Sequence, residues 1–315
     1  MAQPTNLYDT YDTTGIREDL TDVIYNISPE DTPILSAIPR TAAKATKHEW
    51  QLDALAAPAA NKVIEGDEAT VDAMTATTRA FNFTQISDKV IALSGTQSAV
   101  DAAGRADEMA YQIAKKSKEL KKDMEFALIK GQVQAVGSAT AARALGSIPT
   151  WLKTNGDAGT SGSLSTGSGT DLPGSGTDRD LTETILKTVI KEVYESGGEM
   201  DMLVCPPSVK QVISGFNANT TRFGPAEAKT EFAAIDVYSS DFGDLRVVPN
   251  RVMAVTDAKD VFIIQRDMMA TAYLRDFQVQ DLAKTGDSEK KQLLVEYTLE
   301  VRNEAAHGII LDINQ

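Results

Sequence analysis

Two β-prone segments with a long, poorly hydrophobic connection between them constrain this chain more than any other feature. Residues 44–55 and 78–93 are rich in aromatic and branched side chains, which favour strands. The connection, residues 54–77, is rich in Ala and is broken by Pro58 and Gly66. Such a connection cannot bury enough apolar area to order itself inside a compact domain. The sequence therefore predicts a long hairpin that projects from the body and leaves strand edges exposed.

The segment before this hairpin has the pattern of an arm rather than of a core. Its apolar residues form a short helical stripe, at Leu20, Val23, Ile24 and Ile27. Pro29, Pro33 and Pro39 follow. Because proline lacks a backbone N–H donor, residues 28–40 cannot form one long helix. An arm of this composition needs another surface to lie against.

Helical and low-complexity segments follow the hairpin. Residues 99–131 are the longest helical candidate and could form a beam. Residues 156–179 contain 7 Gly, 5 Ser and 4 Thr, which predicts a mobile surface loop that divides two lobes. Residues 180–196 predict a helix, with Asp180 and Glu183 as a capping box.

The second half of the chain also contains strands. Residues 202–205 predict a buried strand, and Pro207 begins another helix. Residues 232–255 and 261–274 are mostly strand, and residues 293–301 alternate between apolar and polar side chains. That alternation predicts a strand with one buried face. The fold class is therefore α+β.

Composition limits the classes of function. The 315 residues suggest about two lobes. With 31 Lys and Arg against 45 Asp and Glu, the net charge of −14 argues against the whole chain as a nucleic-acid binder, although a local basic patch is allowed. Cys205 is the one cysteine, and His48 and His307 are the two histidines. An intramolecular disulfide and a thiolate zinc site are excluded, and little remains for histidine chemistry. No apolar run is long enough to span a bilayer.

The residues that could carry catalysis each have a favoured structural interpretation. Cys205 ends an apolar strand, which indicates a buried thiol. His48 lies between charged neighbours in the predicted hairpin and is expected to be exposed, whereas His307 is expected to cap or turn the last strand. Lys284 begins a Lys-Thr-Gly sequence without the Ser-x-x-Lys partner that penicillin-recognising enzymes need. A turn with Gly286 at positive φ is therefore predicted.

A group of lysines occupies one part of the longest helical candidate: Lys115, Lys116, Lys118, Lys121 and Lys122. A solvated face balanced by Glu119, Asp123 and Glu125 is the favoured interpretation. The alternative is a basic patch that faces nucleic acid.

Three stretches, in this order, carry a family resemblance. The first, residues 27–38, contains Ser28-Pro29-Glu30-Asp31-Thr32-Pro33 and is similar to a Ser-Pro-x-x-Thr-Pro motif in an N-terminal arm. The others are residues 85–96 with 107–125, and residues 241–243, 247–251, 282–288 and 296–301. On these residues the chain resembles the major head (capsid) protein family of tailed bacteriophages, whose members share the Hong Kong 97-type fold.

The resemblance implies an α+β Hong Kong 97-type fold with four parts. These are an arm (1–43), an extended hairpin (44–94), a peripheral domain with a spine helix (95–150 and 266–315), and an axial domain (151–265) that includes loop 156–179. It implies self-assembly through pentamers and hexamers into an icosahedral head shell around double-stranded DNA. The expected location is the virion, after assembly in the bacterial host cytoplasm.

The arm and the hairpin expose strand edges and apolar residues that their own chain does not cover, so we expect them to contact neighbouring subunits. The expected arm contacts are Ile27, Pro29, Pro33, Ile34, Leu35 and Ile38. The expected hairpin contacts are Trp50, Leu52, Val63, Ile64, Phe81 and Phe83. The expected residues facing the lumen and its DNA are Lys115, Lys118 and Lys122.

The expected partners are other copies of the chain, portal, scaffolding and decoration proteins, and packaged DNA through weak, non-specific contacts. Separate scaffolding is expected because no further N-terminal segment precedes the arm. No membrane, cofactor, metal or catalytic residue is expected. The alternatives are an encapsulin-like nanocompartment shell, another virion protein such as a tail component, and, more remotely, a Cys205 or Ser hydrolase.

Overall fold

The computed structural model describes residues 31–68, 71–100, 107–216, 236–255 and 259–314. The helices are α1 (Pro33–Ala37), α2 (Gly95–Ala99), α3 (Glu108–Ile129), α4 (Glu183–Glu195), α5 (Pro207–Phe216) and α6 (Arg251–Val255). The strands are β1 (Arg40–Ala42), β2 (Lys47–Leu52), β3 (Thr78–Phe83), β4 (Gln85–Ser94), β5 (Gly156–Asp157), β6 (Met202–Cys205), β7 (Val237–Ser240), β8 (Gly243–Pro249), β9 (Val261–Ile264), β10 (Met269–Asp281), β11 (Ser288–Val301) and β12 (Gly308–Ile310). Short 3₁₀ helices lie at Ile148–Thr150, Arg266–Met268 and Glu304–Ala306.

The first sheet has four strands in the order β1-β10-β11-β4. β1 runs parallel to β10, with Arg40 opposite Thr271, and the other pairs are antiparallel. The turn between β10 and β11 contains Gly286 at a φ of +77°, which confirms the turn predicted for the Lys284 motif. Helix α3 packs against β4 and β11, and the larger hydrophobic core joins this layer to residues of β6 and β9.

Helix α3 is the beam that the sequence predicts, but it begins later than predicted. The Asp107 side chain accepts a hydrogen bond from the Ala110 N–H (3.1 Å) and caps the first turn. The prediction that the helix begins at residue 99 is wrong, because α2 ends there and Val100 has extended backbone. The 22 residues of α3 span about 33 Å.

The second sheet has six strands in the order β5-β12-β9-β6-β8-β7, with α4 packed against β5 and β12 and α5 against β8. The predicted buried strand Met202–Cys205 is confirmed. Strand β12 pairs with β9, and its three residues are buried. Residues 308–310 therefore belong to the second sheet, which corrects the expectation that the whole of 266–315 lies in the peripheral domain.

The Gly/Ser/Thr-rich segment is pinned to the body, so the prediction that it does not pack is wrong. The Asp312 carboxylate accepts hydrogen bonds from the N–H groups of Gly159 (3.0 Å) and Gly176 (2.9 Å). Ser163 and Gly174 exchange backbone hydrogen bonds of 3.1 and 2.9 Å. Small residues allow this close approach, because a Cβ at Gly159 would lie 2.2 Å from a backbone oxygen.

Three local predictions also need correction. The cap of α4 is Thr182, whose hydroxyl accepts from the Ile185 N–H, rather than Asp180. A short helix, α6, occupies part of the predicted strand 232–255, of which residues 232–235 lie outside the described residues. Strand β11 is buried on both faces over 293–301 rather than on one, because its polar side chains lie under the base of the hairpin.

Among the helices that the structure describes, none is both long and apolar enough to cross a membrane.

Candidate assembly surfaces

The base of the projecting hairpin is fixed to the body by a buried amide and two indole rings. Strands β2 and β3 pair antiparallel, with His48 opposite Asn82. The Asn82 amide donates to the carbonyls of Gly146 (3.1 Å) and Leu299 (2.8 Å), and its oxygen accepts from the Gly146 N–H (2.8 Å). The Trp50 and Trp151 ring centroids lie 5.4 Å apart. The hairpin therefore leaves the body at a defined place and angle.

A carboxylate of β11 joins the hairpin base to the end of the arm. Glu300 accepts hydrogen bonds from the Thr41 hydroxyl (3.1 Å), the His48 imidazole (3.0 Å) and the Arg302 guanidinium (3.1 Å). These bonds, led by the one from His48, lower the pKa of Glu300 to about 2. His48 is largely buried beside this carboxylate, so the expectation that it is exposed is wrong.

A second carboxylate of β11, Glu296, is buried below the hairpin. It accepts from the Thr84 hydroxyl (2.8 Å) and from the guanidinium groups of Arg143 (2.5 Å) and Arg275 (2.7 Å). Two cations on one buried carboxylate compensate for the loss of hydration. The network ties the junction of β3 and β4, strand β10 and the segment after α3 to the same point on β11.

Beyond its base the hairpin has little contact with its own chain. Residues 53–68 and 71–77 are all exposed. Five apolar side chains are almost fully exposed, namely Leu55 (99%), Val63 (82%), Ile64 (79%), Val71 (93%) and Met74 (95%). An apolar group of this size outside a core is typical of a surface that another molecule covers.

The expected hairpin contacts fall into two groups. Val63 and Ile64 lie on the exposed distal part, whereas Leu52, Phe81 and Phe83 are half-buried near the base. Trp50 packs against the core of its own chain. The sequence analysis missed Leu55, Val71 and Met74, although apolar side chains in a connection with no core of its own were the available signal.

The described part of the arm is seated on α3 through a buried glutamate. The Glu125 carboxylate accepts from the N–H groups of Ile34 (3.0 Å) and Leu35 (2.8 Å) at the start of α1. It also accepts from the Asn250 amide (2.7 Å). Burial raises the pKa of Glu125, and these hydrogen bonds oppose the rise. The interpretation of Glu125 as part of a solvated face is wrong, although its place between Met124 and Leu128 was a signal of burial.

This seat corrects the expected arm contacts. Ile34, Leu35 and Ile38 are buried in the core of their own chain and cannot cover a neighbour, because α1 packs on α3. Pro33 is half-buried beside them. Ile27 and Pro29 lie outside the described residues.

The lysines of α3 occupy its outer side. Lys115, Lys118 and Lys121 are exposed, and Lys122 is half-buried. Lys116 pairs with Glu119 (2.7 Å), and Asp123 pairs with Lys89 (2.5 Å). Lys115, Lys118 and Lys122 follow one another at helical spacings of three and four, so they share one face.

The remaining candidates for chemistry are structural groups. Burial raises the pKa of the Cys205 thiol to about 12, so very little thiolate forms at neutral pH. His307 is fully buried, where its Nδ1 accepts from the Gln265 N–H (3.2 Å) and its Nε2 donates to the Met268 carbonyl (3.3 Å). Burial lowers its pKa to about 4. Neither group has the character of a nucleophile or of a general base at neutral pH.

The architecture defines a class of protein. A four-stranded sheet backed by a long helix, a six-stranded α/β layer and a projecting hairpin are the parts of the Hong Kong 97-type fold. The capsid structure of cyanophage A-1(L) superposes with a TM-score of 0.70 at 14% identity, over 99% of this chain and 100% of that one. The capsid of the native GTA particle gives 0.64 at 12%, over 96% of both chains. The fold is that of phage capsid proteins.

The sequence comparisons give the family. The SU10 major capsid protein family matches residues 4–314. The major capsid protein of Escherichia phage Phieco32 is 28% identical over 347 residues, covering 98% of this chain and 97% of the relative. The chain belongs to the SU10 major capsid protein family. It is a structural protein of the phage virion, and it assembles with copies of itself into the icosahedral shell of a tailed phage.

Proposed function

We propose that this chain forms the pentamers and hexamers of a head shell that encloses double-stranded DNA, and that the hairpin of each copy completes its neighbour. The observation that carries this proposal is the hairpin itself, because its base is fixed by buried groups while five apolar side chains beyond the base are 79% to 99% exposed. A hairpin held at one end and uncovered at the other is suited to a contact between copies. Head-to-tail contacts of this kind close into rings when the rotation permits.

The shell gains stability from the number of such contacts. One hairpin covers a modest area, yet each copy both gives and receives a hairpin, so a subunit leaves the shell only when several contacts fail together. We further propose that the shell assembles in the host cytoplasm, guided by scaffolding and portal proteins and later bound by decoration proteins.

The test of this proposal is electron microscopy of particles formed when the chain is expressed with the other head proteins of its phage. We expect closed icosahedral shells with rings of five and six copies and with each hairpin on an adjacent copy. Shells of that form with every hairpin folded onto its own subunit would contradict the proposed role of the hairpin. Absence of shells would contradict the proposal as a whole.

We also propose that Lys115, Lys118 and Lys122 face the interior and contact packaged DNA weakly. A shell wall with a net charge of −14 per subunit repels the phosphate backbone, and a row of lysines on its inner side would reduce that repulsion. Replacing the three lysines with Glu is expected to leave empty shells intact and to reduce the DNA content of filled heads. Unchanged packaging in this triple variant would contradict the proposal. Lys187, Lys191 and Lys284, three exposed lysines outside α3, changed to Glu serve as the matched control.

A further inference from the structure

The distal end of the hairpin is a pre-ordered apolar turn with an acidic edge. The Asp67 N–H donates to the Ile64 carbonyl (3.1 Å), and Gly66 takes a φ of +82°, which closes a reverse turn. Val63 and Ile64 project into solvent at the start of this turn, and Glu65 and Asp67 lie within it. A segment that already has its bound shape loses less conformational entropy when it binds.

A groove of the complementary character lies between α1 and the six-stranded sheet. Its volume is about 770 Å³, and its lining includes Pro33, Ala37, Val248 and Pro249 together with Arg246 and Arg266. The two carboxylates in its lining already have partners, since Asp201 pairs with Arg266 (2.6 Å) and Asp31 with Arg251 (3.7 Å). Arg246 is exposed, and no carboxylate in the described part of the chain forms an ion pair with it.

We propose that the hairpin turn of a second copy seats in this groove, with Val63 and Ile64 against its apolar wall and Glu65 beside Arg246. The inference rests on the proposed function and names the surface that receives the hairpin. Charge favours this placement, because the acidic edge meets Arg246, which forms no ion pair with the carboxylates that the structure describes. The occupant is a second copy because every copy carries both the turn and the groove, and the turn is exposed on the described part of its own chain.

Disulfide trapping tests this placement directly. The sole native thiol, Cys205, is buried and does not compete. In assembled shells of the double variant Ile64→Cys with Ser36→Cys, we expect a ladder of covalent multimers on a non-reducing gel, because a disulfide requires Cα atoms within about 7 Å. Unassembled subunits should give none. The matched control is Met74→Cys with Ser36→Cys, which places a thiol outside the turn at a position even more exposed than residue 64.

The outcomes of trapping separate two failures. Normal shells with no ladder, with a disulfide inside one chain, or with an equal ladder from the Met74 control would overturn the groove assignment while leaving the proposed function standing. If the unmodified chain with its partner proteins forms no shells, the proposed function itself fails.

Charge exchange gives an independent readout. Arg246→Glu is expected to reduce shell yield about tenfold, and adding Glu65→Arg is expected to restore most of it, since the pair is reversed rather than removed. Lys191→Glu, an exposed charge reversal on α4, should have no effect. A loss with Arg246→Glu that Glu65→Arg does not rescue would contradict the pairing.

Discussion

At the scale of single residues, three buried carboxylates, one on α3 and two on β11, fix where the arm and the hairpin attach to the body of the subunit. Glu125 seats the arm, whereas Glu296 and Glu300 hold the base of the hairpin. Each accepts three hydrogen bonds, and at least two of the three come from groups ninety or more residues away in sequence, so each carboxylate joins elements that the chain order separates. Removing the carboxylate leaves buried donors unpaired. The resulting loss of folding free energy is larger than the net stabilisation that the hydrogen bonds provided.

For Glu125 we predict a graded loss of stability. Glu125→Ala leaves two N–H groups and the Asn250 amide without an acceptor, so the free energy of unfolding of the unassembled subunit should fall by about 3 kcal/mol. Glu125→Gln keeps one acceptor oxygen and should cost less. Urea denaturation measures both, with Glu119→Ala, a more exposed glutamate of the same helix, expected within about 0.5 kcal/mol of the unmodified chain. Equal losses at positions 119 and 125 would contradict the seat.

For Glu300 we predict an acid-sensitive hairpin base. Its pKa is lowered from an ordinary value of 4.5 to about 2, so its contribution is present above pH 4.5 and is lost as the pH falls toward 2. Trp50 and Trp151, the two tryptophans of the chain, meet at this base and report on it by fluorescence. Between pH 5 and 2 the unmodified subunit should lose stability more steeply than Glu300→Gln. Parallel pH profiles for the two proteins would contradict a stabilising role of the Glu300 carboxylate at the hairpin base.

At the scale of elements, the hairpin carries exposed apolar side chains that we propose are covered by a neighbouring copy. We predict that Val63→Ser with Ile64→Ser leaves the stability of the unassembled subunit within about 0.5 kcal/mol, because both side chains are exposed there. Shell yield should nevertheless fall sharply. Val136→Ser, an exposed valine outside the hairpin, is the control for both measurements. A subunit destabilised by the hairpin change, or shells formed at normal yield, would contradict this division of roles.

The Gly/Ser/Thr-rich segment, unlike the hairpin, is held by its own chain, although its composition predicts a mobile loop. We predict that Asp312→Ala frees residues 156–179, because two glycine N–H groups lose their buried acceptor. Limited proteolysis of the unassembled subunit should then cut within this segment at least about tenfold faster, in proportion to its open population. Asp171→Ala, which removes a half-buried carboxylate that bonds only within the segment, should change the rate far less. Equal rates for the two variants would show that Asp312 does not pin the segment.

At the scale of the whole molecule, the sequence predicts what is local and misses what is long-range. Four features follow from patterns that each involve residues close together in sequence. They are the hairpin, the long helix α3, the turn at Gly286 and the buried strand that ends at Cys205. Two of the contacts that hold the fold together join positions more than ninety residues apart. They are the hydrogen bonds from α1 to Glu125 and those from the Gly/Ser/Thr-rich segment to Asp312, and no local pattern indicates such pairs. For the same reason the polar face of β11 was expected in solvent, although it carries the base of the hairpin.

At this scale we propose that the subunit is incomplete until neighbouring copies cover its hairpin. Amide hydrogen exchange over residues 53–68 and 71–77, compared between unassembled subunits and purified shells, tests this most directly. We expect rapid exchange in the subunit, since these residues contact little of their own chain, and strong protection in the shell. Equal exchange in both states would contradict the central claim, because it would mean that no neighbour covers the hairpin.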